Sequence, residues 1–414
     1  MRVGLVTIGE PLPTEGENVR LYRTGMLAQE LDRAGHEVVW WTSGFDHFKR
    51  RFFDGPPVES VWERTQIRKL KSRGYSRNIS WRRYRDHLDL AKSLTEDLPQ
   101  APRPDVFLCS IPVAEHAEQV LKFAQPHQIP VVLDARDMWP DLFLEYVGVP
   151  WLPLAKLALN RAFRSTENAF KRATGLMAHT DHFLEWALEY AGRPMQFHDR
   201  VFPFGYHEVP PADEELARAR ANWDQQGILA GPTRVLYSGQ LIDQVNMLPV
   251  WAAARANPQV EFLICGDGQS RRKFEQQALG IPNVRFTGWI GLPDLRVLME
   301  RSHAGLMPYV PRYSFMCSVP NKANEYMANR LPLIWSMPAG ELTDLIAERN
   351  IGVTYSAKEP NALAAYIGDL HAAPDAWRQR GENGFALFRE RFRAEDIYPA
   401  IVRYLEELAS KRYP

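Results

Sequence analysis

Short apolar runs rich in Val, Ile and Leu recur along the whole chain, with stretches long enough for helices between them. A strand buried on both faces reads as a continuous apolar run, so this rhythm predicts parallel sheets covered by helices. In the first half the runs place strands over 2–8, 37–42, 105–110, 131–135 and 175–179, with a helix over 19–34 closed by Gly35. In the second half strands are expected over 234–238, 261–265, 284–287, 304–307, 333–336 and 353–355. Two successive series of this kind imply an α/β architecture of two Rossmann-like, doubly wound parallel-sheet domains. The length of 414 residues agrees, because it exceeds the roughly 250–300 residues at which one core stops growing. The expected domains are 1–205 and 206–393. A hinge is expected within 201–233, where Pro203, Gly205, Pro210, Pro211 and Gly231-Pro232 interrupt the pattern. The segment 394–408 reads as an amphipathic helix with Ile397, Ile401, Tyr404 and Leu405 as its stripe, and 394–414 is expected to pack back on the first domain.

Charge removes several classes of function. Lys+Arg and Asp+Glu are equal at 50, so no global field attracts nucleic acid, and recognition of ions must be local. Cys109, Cys265 and Cys317 are far apart and form no CxxC, which predicts a reducing compartment with neither disulfides nor structural zinc. The opening MRVGLVTIGE reads as a first strand rather than a targeting segment, and no run reaches the ~18 apolar residues of a membrane span. A cytoplasmic protein is expected, meeting any membrane from its surface.

In open parallel sheets ligands bind beyond the carboxyl ends of the strands, so the turns there carry the argument. Tyr237-Ser238-Gly239-Gln240 leaves the first strand of the second half, and a glycine there lets backbone amides approach an anion. Cys265-Gly266-Asp267-Gly268 leaves the next; Asp267 either meets a ligand or caps the following helix. Neither turn is a G-x-G-x-x-G fingerprint or a phosphate loop ending in Gly-Lys-Ser/Thr, which argues against dehydrogenases and P-loop ATPases. Most informative is the stretch 318–332, SVPNKANEYMANRLP. A proline-led turn and a short helix put Lys322 and Glu325 on one face, where the lysine can neutralise phosphate and the glutamate can accept two hydroxyl hydrogen bonds. A plain surface ion pair is the competing reading.

This stretch resembles the signature helix of the retaining glycosyltransferases of family four, with the GT-B fold, in which Pro-x-Lys-x-x-Glu-Tyr-Met-Ala precedes a small residue, a proline and a strand. The resemblance extends to Arg33-Ala34-Gly35-His36-Glu37-Val38, Arg136-Asp137-Met138-Trp139-Pro140, the Gly266–Gly268 turn, Asn283-Val284-Arg285-Phe286-Thr287-Gly288 and Gly340-Glu341. It is strongest with the branch that builds bacterial O-antigen, capsule or exopolysaccharide. It implies that Glu325 binds the nucleotide ribose, that Gly239, Gly266 and Gly268 line the nucleotide and diphosphate, and that Gly340 and Glu341 face the donor sugar. It also implies that the loop 9–18, with Gly9, Gly16 and Asn18, closes over donor and acceptor.

Three departures stand out. Where the family often has an arginine after the first glycine and a lysine five positions on, this chain has Gln240 and Val245. Gln240 and Asn246 are candidates to replace charge by hydrogen bonds, with Lys322 and Arg312 as compensating cations. Cys317 stands where the family has a second glutamate, so Ser318 or the 313–318 main chain must meet the donor sugar. Asn329-Arg330-Leu331 stands where a small residue usually precedes the proline.

In the first half, Asp134 and Asp137 end a strand, and Asp137 is the candidate catalytic carboxylate that orients an acceptor hydroxyl; alternatively it only bonds its own turn. Arg20 and Arg23 are expected on the first helix, gripping an acceptor phosphate or lying as solvated charges. His179 reads as structural. The segment 64–85 is strongly basic and interleaved with aromatics, and Arg77, Trp81, Arg82 and Arg83 form a candidate membrane patch.

The resemblance implies sugar transfer from a UDP-, GDP- or dTDP-linked donor with retention of configuration, no metal and no cofactor. The expected acceptor is a saccharide, polyprenyl-diphosphate-linked, at the inner face of the plasma membrane. The alternatives are a non-catalytic sugar-nucleotide-binding scaffold or a sugar-nucleotide epimerase.

Overall fold

The computed structural model describes residues 1–16, 19–77, 80–356 and 358–411. Contacts divide the chain into two compact units, one of Met1–Phe204 with Ala394–Pro414 and one of Gly205–Arg393.

The first unit is built on β1 (Arg2–Val6), β2 (Glu37–Ser43), β5 (Val58–Val61), β6 (Thr65–Leu70), β7 (Val106–Ile111), β8 (Val131–Ala135), β9 (Gly175–Ala178) and β10 (Arg200–Val201). A separate antiparallel pair, β3 (Phe45–Asp46) with β4 (Arg51–Phe52), lies beyond the end of β2. The large sheet runs β10-β9-β8-β7-β1-β2-β6-β5, parallel throughout except for the β5–β6 pair. Its order reverses beside β1, which puts the ligand-binding switch point between β1 and β7.

The basic segment 64–85 is read from the sequence as a surface patch, but its first part is the largely buried strand β6. Arg68 pairs with Asp97 at 2.5 Å and Lys69 with Glu59 at 2.8 Å, so these cations are spent inside the unit. The first helix spans Arg23–Arg33, starting later than expected because Tyr22 is still extended. The last helix, Ala394–Ser410, buries Ile397, Ile401, Tyr404 and Leu405 in one core with Val3, Leu5 and Leu27. The chain therefore returns to the first unit after completing the second.

The second unit carries β11 (Arg234–Ser238), β12 (Glu261–Cys265), β13 (Val284–Gly288), β14 (Ala304–Met307), β15 (Leu333–Trp335) and β16 (Gly352–Thr354). They form one parallel sheet in the order β13-β12-β11-β14-β15-β16, reversing between β11 and β14. At that reversal the signature helix, Asn321–Ala328, docks. Gly305 in β14 leaves room for the Tyr326 ring, since a Cβ there would overlap it. The Tyr326 hydroxyl accepts from Ser238 N at 3.0 Å and lies 3.2 Å from Leu236 O, satisfying backbone groups where the two strands diverge. This contact sets the rotation of the helix.

Candidate functional site

With Tyr326 turned into the sheet, Lys322 lies one helical turn earlier on the same stripe and reaches the strand ends. Its Nζ sits 4.1 Å from the centre of the Tyr237 ring and beside Gly239, where a Cβ would overlap it. The Tyr237 hydroxyl donates to Gln240 O at 2.7 Å and so holds the turn that follows β11.

The neighbouring turns are laced to this one. Gly239 N donates to Cys265 O and Leu241 N to Asp267 O, both at 2.9 Å, and Gly266 N donates to Gly288 O at 2.7 Å. Gly239, Gly266 and Gly268 have φ of 146°, 139° and 155°. A Cβ on Gly266 would overlap Gly239 O, and one on Gly268 would overlap Leu241 O. Only glycines permit this packing, which ties the amides of Gly239, Leu241, Gly266 and Gly268 into the turns themselves and brings one lysine to the sheet's switch point. Glu325 is on the same helix and keeps 7 % of its surface exposed. Gly340, at φ 113°, precedes the helix Glu341–Arg349, and a Cβ on it would overlap Met316 O. Gly340 and Glu341 thus adjoin the 313–318 loop.

Several candidates have local duties. Asn246 Oδ1 accepts from Leu248 N at 3.2 Å, at the start of the helix Leu248–Ala256. Ser318 Oγ donates to Phe315 O at 3.2 Å. Asp267 does not cap the next helix; its Oδ1 accepts from Gly268 N at 2.8 Å and steadies its own turn. Gln240 is exposed. Cys317 is a buried thiol, and burial pushes the Cys265 thiol up to about 12. Among the described residues no three His, Cys, Asp or Glu side chains are gathered as a metal-binding set.

In the first unit, Arg23 and Arg20 are not the pair expected on the first helix. Arg23 is 3 % exposed, its Nε donates to Asp134 at 3.0 Å and its Nη1 to Pro203 O at 2.9 Å. Arg20 is exposed and precedes the helix. The helix N-terminus is already occupied by Glu10, whose carboxylate accepts from Thr24 N at 3.0 Å and Gly25 N at 3.3 Å and pairs with Arg136. Arg136 also donates to Asp134 at 2.5 Å. Burial raises the Asp134 carboxyl, but Arg23 and Arg136 outweigh it and hold the group below the usual carboxylate range. Two buried carboxylates and two guanidiniums balance, so Asp134 is structural. Glu10 was missed because its partners are distant in sequence; only the Gly9-Glu10 pair after a strand hints at it.

Asp137 is half-buried at the end of β8, with Oδ1 accepting from Met138 N at 2.9 Å. Burial pushes its carboxyl up to about 6, against the pull of the Met138 amide, Trp139 and Arg83. His179 stacks on Phe204 and Phe183 at 4.3 and 4.1 Å, and burial takes its imidazole down to about 3, which fits the structural reading.

Of the membrane-patch residues, Arg77 and Arg82 are exposed and Trp81 is 70 % exposed, stacked on Tyr84. Arg83 instead turns inward, 4.8 Å from the Trp139 ring and 5.3 Å from Tyr75. Arg50 also approaches this cluster, 5.1 Å from the Tyr75 ring, and the Tyr75 hydroxyl is 2.6 Å from His47 Nδ1. His47 in turn lies within 4 Å of a Cβ placed on Gly9. Gly9 (φ 78°) and Gly16 (φ 138°) bracket the first loop; Asn18 lies outside the described residues.

Two Rossmann-like units in one chain, the second with a lysine-bearing helix over its glycine turns, define the GT-B class. Comparison with known proteins agrees. Residues 232–373, most of the second unit, match the family model of glycosyl transferases group 1. No curated protein matches the sequence. Among solved structures, sucrose-phosphate synthase from Thermosynechococcus elongatus is similar at TM-score 0.75 with 18% identity, covering 98% of both chains. Anabaena Alr3699/HepE in complex with UDP is similar at 0.67 with 14% identity, over 98% of this chain and 100% of that one. WaaG, a glycosyltransferase involved in lipopolysaccharide biosynthesis, is similar at 0.67 with 14% identity, over 99% and 100%. At such identities the likeness establishes the GT-B fold.

Proposed function

We propose that the protein is a retaining, metal-independent glycosyltransferase of family four that moves a sugar from a nucleoside-diphosphate donor to a saccharide acceptor. The observation that carries this reading is the convergence of Lys322 with the Gly239, Gly266 and Gly268 turns at the switch point of the second sheet. The Lys322 cation there stabilises the departing diphosphate, the side-chain-free glycine turns let it approach closely, and Glu325 takes the ribose hydroxyls. In transfer with retention, the sugar–phosphate bond breaks, the acceptor oxygen attacks the same face, and a donor phosphate oxygen takes the acceptor proton. The chemistry leans on leaving-group charge more than on a side-chain base. Asp137, pushed up to about 6 and ionised at neutral pH, orients the acceptor hydroxyl. Arg50 and Arg83, which share the Tyr75 ring near Gly9, replace Arg20 and Arg23 as candidates for an acceptor phosphate.

The acceptor in this reading is polyprenyl-diphosphate-linked, and the protein works at the cytoplasmic face of the membrane in surface-polysaccharide synthesis. The group 1 family match and the fold shared with WaaG support that direction. The UDP complex of the Anabaena protein makes a uridine nucleotide the first donor to try.

Thermal shift with UDP, GDP, dTDP and ADP tests the reading, because a ligand at 100 times its Kd stabilises the native state by about 2.7 kcal/mol. One nucleotide should raise the melting temperature and support donor turnover in the presence of EDTA. Failure of all four to bind would remove the proposal; binding without any turnover on a lipid-linked saccharide extract would leave the scaffold reading instead.

A further inference from the structure

The segment 146–166, YVGVPWLPLAKLALNRAFRST, contains no acidic residue and carries Lys156, Arg161 and Arg164. It folds as the turn Val149–Trp151, the short helix Leu152–Ala158 and the start of the helix Asn160–Arg172. Neither the turn nor the short helix buries a residue. Val149, Trp151, Leu154 and Leu157 are 78, 63, 58 and 71 % exposed. A surface helix normally turns its apolar side to the core, and a contiguous apolar ridge left in water marks an interaction surface.

Charge selects among occupants. The ridge is followed at once by Arg161 and Arg164. The Tyr84 hydroxyl lies within electrostatic reach of Glu115 and of Arg161, and Arg161 and Arg164 share a surface hollow with Glu118, so Lys156 is the cation carried on the ridge itself while the two arginines stand beside acidic neighbours. A second copy meeting this surface about a two-fold axis would set like charges against each other. An anionic bilayer neutralises them. A seven-residue helix, about 10 Å long, is too short to span a membrane and suits burial at the boundary of headgroups and acyl chains.

We infer that the ridge at 149–157 inserts into the interfacial layer of an anionic lipid membrane, with Lys156, Arg161 and Arg164 at the phosphate level. This surface is distinct from the nucleotide turns and holds whether or not the acceptor is lipid-linked.

The test uses the full chain with vesicles of phosphatidylglycerol and phosphatidylethanolamine, and with neutral phosphatidylcholine as control. The wild type should co-sediment with the anionic vesicles. Leu154→Glu/Leu157→Glu should weaken partitioning about tenfold or more, since each buried leucine supplies at least that factor. Lys156→Glu/Arg164→Glu should weaken it on anionic vesicles only. Melting temperature should be unchanged in both variants because the altered side chains are exposed. Brominated acyl chains should quench wild-type fluorescence more than that of Trp151→Phe. Vesicle binding that the leucine variant retains, equal quenching of the Trp151→Phe chain, or a leucine variant that changes only the oligomeric mass would each overturn the inference; the last would make the ridge a contact between copies.

Discussion

Lys322 and Glu325 share a helix but have different tasks in the proposed site, and substitution should separate them. Lys322 lies over Tyr237 and beside Gly239, where the diphosphate charge develops during transfer. Lys322→Met is expected to lower kcat/KM by about 10²–10³, mostly in kcat, the scale of losing one donor to a developing anion. Glu325→Gln, which weakens hydrogen bonds to a bound ribose, should act on KM. Steady-state kinetics decide, and a Lys322→Met enzyme with unchanged kcat would remove the lysine from the transition state. Asp137 supplies a pH signature. Its carboxyl is raised to about 6 in the folded protein, above the ordinary value. It therefore contributes stability that is complete below the ordinary carboxylate pKa and lost as pH rises through about 6. Ionisation also lets it accept a hydrogen bond from the acceptor hydroxyl and thereby orient it, so kcat/KM should climb through about pH 6 and then level. In Asp137→Asn that limb should vanish, and the variant's stability should fall less than the wild type's over the same rise in pH. An unchanged limb would assign it to another group.

At the level of elements, the signature helix ends in a way that explains the Asn329-Arg330-Leu331 departure. Arg330 has φ 56°, Arg330 N donates to Met327 O and Leu331 N to Tyr326 O, which is the left-handed stop that favours glycine. Arginine is retained by its guanidinium, 3.6 Å from the Phe385 ring and 3.4 Å from Glu382. A β-branched residue keeps the backbone strain and loses both contacts, so Arg330→Val should destabilise the protein by about 1–3 kcal/mol. Arg330→Gly should stay near wild type; equal loss from both in denaturant unfolding would mean that the side chain alone matters. The helix itself was readable from the Pro320 lead and the spacing of Lys322 and Glu325, and the glycine turns from their places after apolar runs. Those signals are local. The strand pair β5–β6 was not read, because its cations at Arg68 and Lys69 suggested solvent while their partners lie at Asp97 and Glu59. Glu10 at the helix start, and Arg83 turned onto Trp139, escaped for the same reason: each depends on contacts that only the fold brings together. The ridge at 149–157 was not read, because nothing local tells an apolar stretch left in water from one that is buried.

Across the molecule, the chain leaves the first unit at Phe204, builds the second, and returns at Ala394. The returning helix completes the first unit's core: Ile401 and Leu405 are fully buried beside residues of β1 and the first helix. Its sequence position after the nucleotide turns thus says nothing about which unit it stabilises. Ile401→Ala should cost about 2–5 kcal/mol through the lost contacts and the cavity left behind. That loss belongs to the first unit, whereas the glycine turns, Lys322 and Glu325 proposed to hold the nucleotide all belong to the second. Calorimetry of Ile401→Ala should therefore show a lowered transition, while titration of the favoured nucleotide at a temperature below it gives a dissociation constant within about twofold of wild type, as expected for sites that share no partners. A nucleotide affinity that falls together with the stability would mean that the donor site needs an intact first unit, and the binding half of the proposed reaction could no longer be assigned to residues 205–393 alone.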